Sequence, residues 1–246
     1  MALAALKKIV IPARTKHTAT VIFVHGLGDT GHGLKPLADM FREDPALHHV
    51  KWVLPHSPIR TVTANMGIEM PSWFDIYSFG FNTEEDEKAM LESASSINQL
   101  ITAEVDDGIE PGRIILGGFS QGGTMSILTG LTGERKLGGI CVLSGWLPLR
   151  NKFKSMAGPH VSSTPIFWGH GAIDPLVTMQ MTKDSVEFLT KTLGIPEADT
   201  SGTPKGLEYH RYENLGHSTT HQELEDIKAW LIKAVPDSTD ATAPST

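Results

Sequence analysis

The 246-residue chain predicts an α/β fold with a mostly parallel central sheet and helices on both faces. Three observations carry that prediction. Short apolar runs alternate with amphipathic stretches along most of the sequence, the pattern of strand–helix–strand units. The first clear run, Thr20–Val24 (TVIFV), is apolar throughout, as a strand covered on both faces must be. No repeat or linker interrupts the alternation.

The elements follow in order. After Thr20–Val24, Gly31–Phe41 reads as a short helix, His49–Leu54 as a strand and Pro55-His-Ser-Pro58 as a turn. Thr61–Asn82 has no clear periodicity yet holds Met66, Ile68, Met70, Trp73, Phe74, Ile76, Tyr77, Phe79 and Phe81. A loop that apolar is expected to lie over something rather than in water. Glu84–Val105 is a long amphipathic helix with an acidic start, which suits the positive helix N-terminus. Strand Arg113–Gly118 leads through Ser120 into helix Gln121–Thr132, followed by strands Gly139–Ser144 and Pro165–Trp168. Helix Val177–Leu193, an irregular polar segment at 194–206, strand Leu207–Tyr212 and a helix from about Ser218 to Val235 complete the pattern. Residues 1–235 are thus expected to form one domain, and 236–246, which have nothing to bury, a disordered tail.

Composition narrows the function. Apolar residues make up 40% and charged residues 20%, ordinary for a soluble globular protein. A net charge of −7 argues against nucleic acid as a partner, because a basic face would be needed to displace counterions. A single cysteine, Cys141, excludes an intramolecular disulfide framework and cysteine-based metal sites. No run approaches the roughly 18 apolar residues needed to span a bilayer, and the N-terminal charges follow a short apolar patch rather than precede a long one. A cytosolic or nuclear compartment is expected, with any membrane contact peripheral and no obligate partner implied.

The strongest chemical signal is Gly118-Phe119-Ser120-Gln121-Gly122 between a predicted strand and a predicted helix, the G-x-S-x-G nucleophile elbow in its meaningful context. A serine hydroxyl needs a base to become nucleophilic, and the base needs an orienting acid. In this arrangement the acid and then the histidine follow the serine in the chain. Asp174 follows Ser120 by 54 positions and His217 follows Asp174 by 43, each just after a predicted strand. Spacing alone leaves Asp174 open as the N-cap of the next helix and His217 as a surface histidine, one of 11. His221 after His217 has no third ligand that would make a metal site, and His170 reads as a loop support rather than a base.

An oxyanion needs donors. One is expected from the backbone N–H of Gln121, the residue after the nucleophile, and the other from Leu27, in the loop after the first clear strand, where Gly26 and Gly28 let the backbone turn. That loop also matches G-x-G-x-x-G (Gly26-Leu-Gly28-Asp-Thr-Gly31). A dinucleotide site wants a carboxylate at the end of the second strand, where Val53-Leu-Pro-His56 has none. No cofactor and no metal is expected.

With these residues assembled, the chain resembles the acyl-protein thioesterase/lysophospholipase family of α/β-hydrolases. The matching blocks are Phe23-Val-His-Gly-Leu-Gly-Asp29, Pro55-His-Ser-Pro58, Met70-Pro-Ser-Trp-Phe-Asp75, Gly117-Gly-Phe-Ser-Gln-Gly-Gly123, Leu143-Ser-Gly-Trp-Leu-Pro148, His170-Gly-Ala-Ile-Asp-Pro-Leu-Val177 and Gly216-His217. The resemblance implies Ser120 as nucleophile, His217 as base, Asp174 as its orienter, Leu27 and Gln121 as oxyanion donors, and an acyl groove beneath the Met66–Phe81 loop. Trp73, Phe74, Trp146, Leu147 and Leu176 are the candidate groove residues, with ordinary core packing as the alternative for each. Two departures stand out: segment 194–206 is longer than the family pattern, and the acylatable N-terminal cysteine of some relatives is missing.

The expected activity is hydrolysis of acyl thioesters on S-acylated protein cysteines, most of all palmitoyl groups. A carboxylesterase or lysophospholipase with the same machinery is the nearest alternative. A non-catalytic binding protein on the same scaffold would predict a missing triad member, whereas all three are present in the sequence.

Overall fold

The structure, a computed structural model, describes residues 5–78, 84–198 and 202–237. Its centre is a 7-stranded sheet. The strands are β1 (Lys8–Ile11), β2 (Ala19–Val24), β3 (Val50–Pro55), β6 (Ile114–Phe119), β7 (Gly139–Leu143), β8 (Ile166–Gly171) and β9 (Leu207–Tyr212), while β4 (Ile59–Val62) and β5 (Ile68–Pro71) form a separate antiparallel hairpin. In space the order is β1-β3-β2-β6-β7-β8-β9, and every neighbouring pair is parallel except β1 with β3.

Side-chain alternation along the strands divides the core into two layers. Val21 and Phe23 of β2, Ile115 of β6, Cys141 and Leu143 of β7 and Phe167 of β8 face one side. There they meet Leu34, Ala38 and Phe41 of α1 (Gly31–Phe41) and Ile227, Trp230 and Leu231 of α6 (His221–Ala234). Ile22, Val24, Leu116, Ile140, Val142 and Trp168 face the other. That side is covered by α2 (Glu87–Asp106), α3 (Gln121–Thr132), α4 (Arg150–Met156) and the turn that follows α5 (Met179–Glu187). Helices therefore cover both faces of the sheet. No helix among the described residues is long and apolar enough to cross a membrane.

Several sequence expectations need correction. β1 was not anticipated; it forms because Ile9 and Val10 pair with Leu54 and Val53 across the sheet, a contact invisible to local periodicity. The stretch Thr61–Asn82, expected to be a loop, contains all of β5 and the end of β4, and α4 lies in a stretch given no helix. Strand β8 runs to Gly171, three residues past the expected Trp168. Helix α5 starts at Met179 because Thr178 is its N-cap, and its last turn, Phe188–Thr192, widens into a π-helix. Phe79 and Phe81 of the apolar loop, 199–201 of the polar segment and 238–246 of the expected tail lie outside the described residues.

One buried acid predicts a pH dependence of stability. Glu223, in the first turn of α6, is fully buried, and neither carboxyl oxygen has a hydrogen-bond partner among the described residues. It lies so near Gly169 of β8 that a Cβ there would come within 2.4 Å of its Oε1. Burial, which outweighs the nearby Thr220 amide and is reinforced by the Asp226 carboxylate, raises its pKa from 4.5 to about 8. Between those values the folded protein holds a proton that the unfolded chain has released, so stability falls as pH rises, by on the order of 5 kcal/mol in all. Glu223→Gln, which cannot ionise, is expected to gain on the wild type from pH 5 to pH 8.5 in urea unfolding. An equal difference at both pH values would contradict a neutral Glu223.

Candidate active site

The site lies at the ends of the parallel strands β2, β6, β8 and β9, the edge at which open α/β sheets place their ligands. Ser120 follows β6 directly and precedes the first residue of α3. The chain reverses there so tightly that Ser120 takes φ 54° and ψ −121°, a conformation that costs a non-glycine residue about 1–3 kcal/mol. The glycines on either side are sterically required. A Cβ at Gly122 would stand 2.0 Å from the Val24 carbonyl oxygen, and one at Gly118 would stand 2.4 Å from the Gly122 carbonyl carbon. The strain is held in place by pairing: Ser120 N–H donates to Leu143 O at the end of β7 (2.7 Å), and Thr124 N–H donates to Ser120 O (3.0 Å).

Asp174 follows β8 and His217 follows β9. His217 Nδ1 lies 2.7 Å from Asp174 Oδ2, and His217 Nε2 lies 2.8 Å from Ser120 Oγ. The carboxylate can only accept, so Nδ1 carries the ring proton and Nε2 is left to accept from the serine hydroxyl. The other oxygen, Oδ1, takes the N–H groups of Leu176 (2.8 Å) and Val177 (3.0 Å). Asp174 is thus clamped by its own loop, and the N-cap role that spacing left open belongs to Thr178. Burial pushes the Asp174 carboxyl up, but the His217 hydrogen bond and the Leu176 and Val177 amides together outweigh it and hold the pKa below the usual value. The group stays ionised at neutral pH. The His217 ring also packs on Phe119 (centroids 4.9 Å apart).

His170 is fully buried and its Nε2–H donates to Val177 O (2.8 Å). Its nearest approach to Asp174 is 3.7 Å. It ties the Asp174 loop to β8 and does not reach Ser120 by any hydrogen bond among the described residues. His221 starts α6 as a helix residue. Among the described residues no group of three or more His, Cys, Asp or Glu is arranged to hold a metal.

The structure puts the two expected oxyanion donors, Leu27 and Gln121, just after the neighbouring strands β2 and β6. Gln121 opens α3, where a backbone N–H has no partner within the helix. Leu27 sits in the loop after β2, whose Gly28 has φ 77°, a left-handed turn that glycine makes without strain. A Cβ at Gly26 would lie 3.3 Å from Ser120 Cβ, so this loop passes directly beside the nucleophile.

A cavity of about 420 Å3 opens onto Ser120 and His217. Phe74, Trp146 and Leu176 line it, joined by Ile76, Tyr77 and Met181. Trp73 and Leu147 do not line it, which corrects their assignment as groove residues. Leu147 is 1% exposed and its N–H donates to Ser185 Oγ (3.0 Å). Trp73 is fully buried behind the site, with its indole N–H on His25 O (2.9 Å) and its backbone N–H on Gln121 Oε1 (2.9 Å). The Gln121 amide in turn donates to Phe74 O (2.8 Å) and Ser72 Oγ (3.0 Å). The Ser72–Phe74 segment therefore braces both strand ends, at His25 after β2 and at Gln121 after β6. Sequence reading missed the Gln121 side chain because the position after an elbow serine is defined by its backbone. It missed the bracing by Trp73 because an indole beside an active site reads as an acyl contact.

Comparison with known proteins places the chain. Residues 6–235 match the Phospholipase/Carboxylesterase family of α/β-hydrolases. The chain belongs to that family. It is accordingly a hydrolase. It is 46% identical to acyl-protein thioesterase 1 of Cryptococcus neoformans var. neoformans serotype D, over 94% of this chain and 98% of the relative. It is 41% identical to acyl-protein thioesterase 1 of Mycosarcoma maydis, over 95% and 99%. Among solved structures it superposes on Arabidopsis thaliana SOBER1 with TM-score 0.81 at 31% identity, covering 89% of this chain and 99% of that one. On Zea mays acyl-protein thioesterase 2 it does so with TM-score 0.80 at 26% identity, covering 93% and 99%.

Proposed function

We propose that this hydrolase removes long-chain acyl groups from S-acylated cysteines of proteins through an acyl-enzyme on Ser120. The observation that carries the reading is the relay Asp174–His217–Ser120 opening into a cavity walled by Phe74, Trp146, Leu176 and Met181. His217 Nε2 takes the hydroxyl proton as Ser120 Oγ bonds to the thioester carbonyl carbon. The carbonyl oxygen gains negative charge, which the N–H groups of Leu27 and Gln121 stabilise. The C–S bond then breaks, and the imidazolium proton goes to the departing sulfur. Water, deprotonated by the same nitrogen, attacks the acyl-enzyme and releases the fatty acid with Ser120 restored. Asp174 holds the ring tautomer and balances the imidazolium charge throughout.

The walls favour an aliphatic chain, since each buried methylene contributes about 0.8 kcal/mol. The charged part of the lining favours a peptide leaving group over a phosphorylated one. Asp29, Asp75, Glu84 and Glu85 line the cavity and no Lys or Arg does so among the described residues, so a phosphate headgroup meets repulsion there. The family's breadth keeps lysophospholipid or simple ester hydrolysis as the second reading.

The test pairs labelling with a substrate comparison. A fluorophosphonate is expected to modify Ser120, mapped by peptide mass spectrometry, and kcat/KM on an S-palmitoyl peptide is expected to exceed that on a lysophospholipid at least about tenfold, a difference of about 1.4 kcal/mol in transition-state binding. Preference for the lysophospholipid would replace the first reading by the second. Absence of labelling would remove Ser120 from the chemistry.

A further inference from the structure

We propose that His25 is a positioning residue that aims the Leu27 N–H at the oxyanion, by holding the Gly26–Leu27 peptide plane through the carbonyl at its other end. The inference rests on the acyl-transfer reading of the Ser120 site and adds to it a side chain that does not touch the substrate.

His25 ends the strand-to-loop passage after β2 and is fully buried. Both ring nitrogens face backbone groups of opposite kind. Nδ1 is 2.7 Å from Gly26 O, an acceptor, and Nε2 is 3.0 Å from the Ser57 nitrogen, a donor. Only one protonation state satisfies both: Nδ1 carries the hydrogen and Nε2 is bare. Burial lowers the pKa of the ring and so keeps it in that neutral form.

The consequence follows from peptide geometry. In a trans peptide the carbonyl of one residue and the N–H of the next point in opposite directions within one plane. Fixing Gly26 O therefore fixes the direction of Leu27 N–H. Gly26 O is held twice, by the His25 ring and by the Asp29 N–H (3.3 Å). Leu27 N–H has no hydrogen-bond partner among the described residues, and both Gly26 and Leu27 line the cavity beside Ser120. Glycine at 26 gives this peptide little steric guidance of its own, so without the ring only the longer Asp29 N–H contact holds its carbonyl. His25 is in turn anchored from both sides, by Ser57 on the ring and by the Trp73 indole on its carbonyl.

Two substitutions separate the ring's bonds. Asn at 25 places an amide N–H near the position of Nδ1, so His25→Asn keeps the bond to Gly26 O and loses the one to Ser57. Gln reaches the position of Nε2 instead, so His25→Gln keeps the Ser57 bond and loses the one that matters. His25→Asn is expected to hold kcat within about tenfold of the wild type, the effect of one ordinary hydrogen bond. His25→Gln is expected to lose about 10²–10³-fold in kcat, as when one oxyanion donor is removed, with KM little changed. Equal kcat for the two variants, or a loss confined to KM, would overturn the inference. Should neither variant fold, ring 15N NMR of the wild type decides: protonated Nδ1 with bare Nε2 at neutral pH is expected, and the other tautomer or a cationic ring refutes the proposal. Failure of the underlying reading is distinguishable. In that case the wild type itself shows no acyl hydrolysis and no fluorophosphonate adduct.

Discussion

Ser120→Ala is expected to lower kcat by roughly 10⁴–10⁶-fold while leaving the fold intact. The alanine keeps the backbone contacts to Leu143 O and Thr124 N and removes only the oxygen that His217 Nε2 faces at 2.8 Å. Nothing else among the described residues stands in that place to attack a carbonyl. The residual rate reports what the cavity and oxyanion donors contribute without a nucleophile. A parallel variant separates chemistry from strain. Ser120→Gly is equally inactive but relieves φ 54° at the elbow, so it is expected to unfold at higher denaturant than Ser120→Ala. Single-turnover assays and urea titrations check both. An alanine variant with kcat within tenfold of wild type would mean that another group attacks.

Asp174→Asn is expected to cost about 10⁴-fold in kcat with little change in KM. The asparagine oxygen can still take the Leu176 and Val177 amides on the side where Oδ1 now does. The atom facing His217 Nδ1 then becomes an NH2 group, which donates. The ring must turn to its other tautomer, with the proton on Nε2, and can no longer accept from Ser120. Loss of the negative charge also leaves the imidazolium of the reaction without a counter-charge. The same carboxylate contributes to stability. Its folded pKa lies below the unfolded one, so that contribution is present above the ordinary carboxylate range and is lost as pH falls through the lowered value. The asparagine variant is expected to be less acid-sensitive in its unfolding than the wild type. Full activity in the variant would show that His217 keeps its orientation without the charge.

Much of this molecule was legible before any coordinates. The bounds of α1, α3 and β9 read from the sequence are those observed, because local starts and stops such as Gly133 after α3 and Gly206 before β9 act within a few residues. The elbow was legible for a steric reason: between a strand and a helix that pack on each other, only glycine leaves room at 118 and 122. Asp174 and His217 could be named because chain order at strand ends restricts where an acid and a base can stand.

Sequence by itself thus determined the strand–helix succession, the reversal at Ser120, and the strand ends where the reactive groups were expected. Tertiary structure alone decided which side chains face the cavity and which stand behind it. Phe74 and Trp73 are adjacent, yet one walls the cavity and the other is sealed in the core, bonded to His25 and Gln121. β1 exists only because β3 offers its edge, and the β4–β5 hairpin only because Ile59–Val62 finds Ile68–Pro71. By sequence Glu223 is an ordinary first-turn glutamate of α6, and only the packing of that helix on the sheet buries it beside Gly169. Turns and periodicity are set by forces between near neighbours in the chain, whereas burial and the partner of each polar atom depend on residues distant in sequence, which meet only when the layers pack.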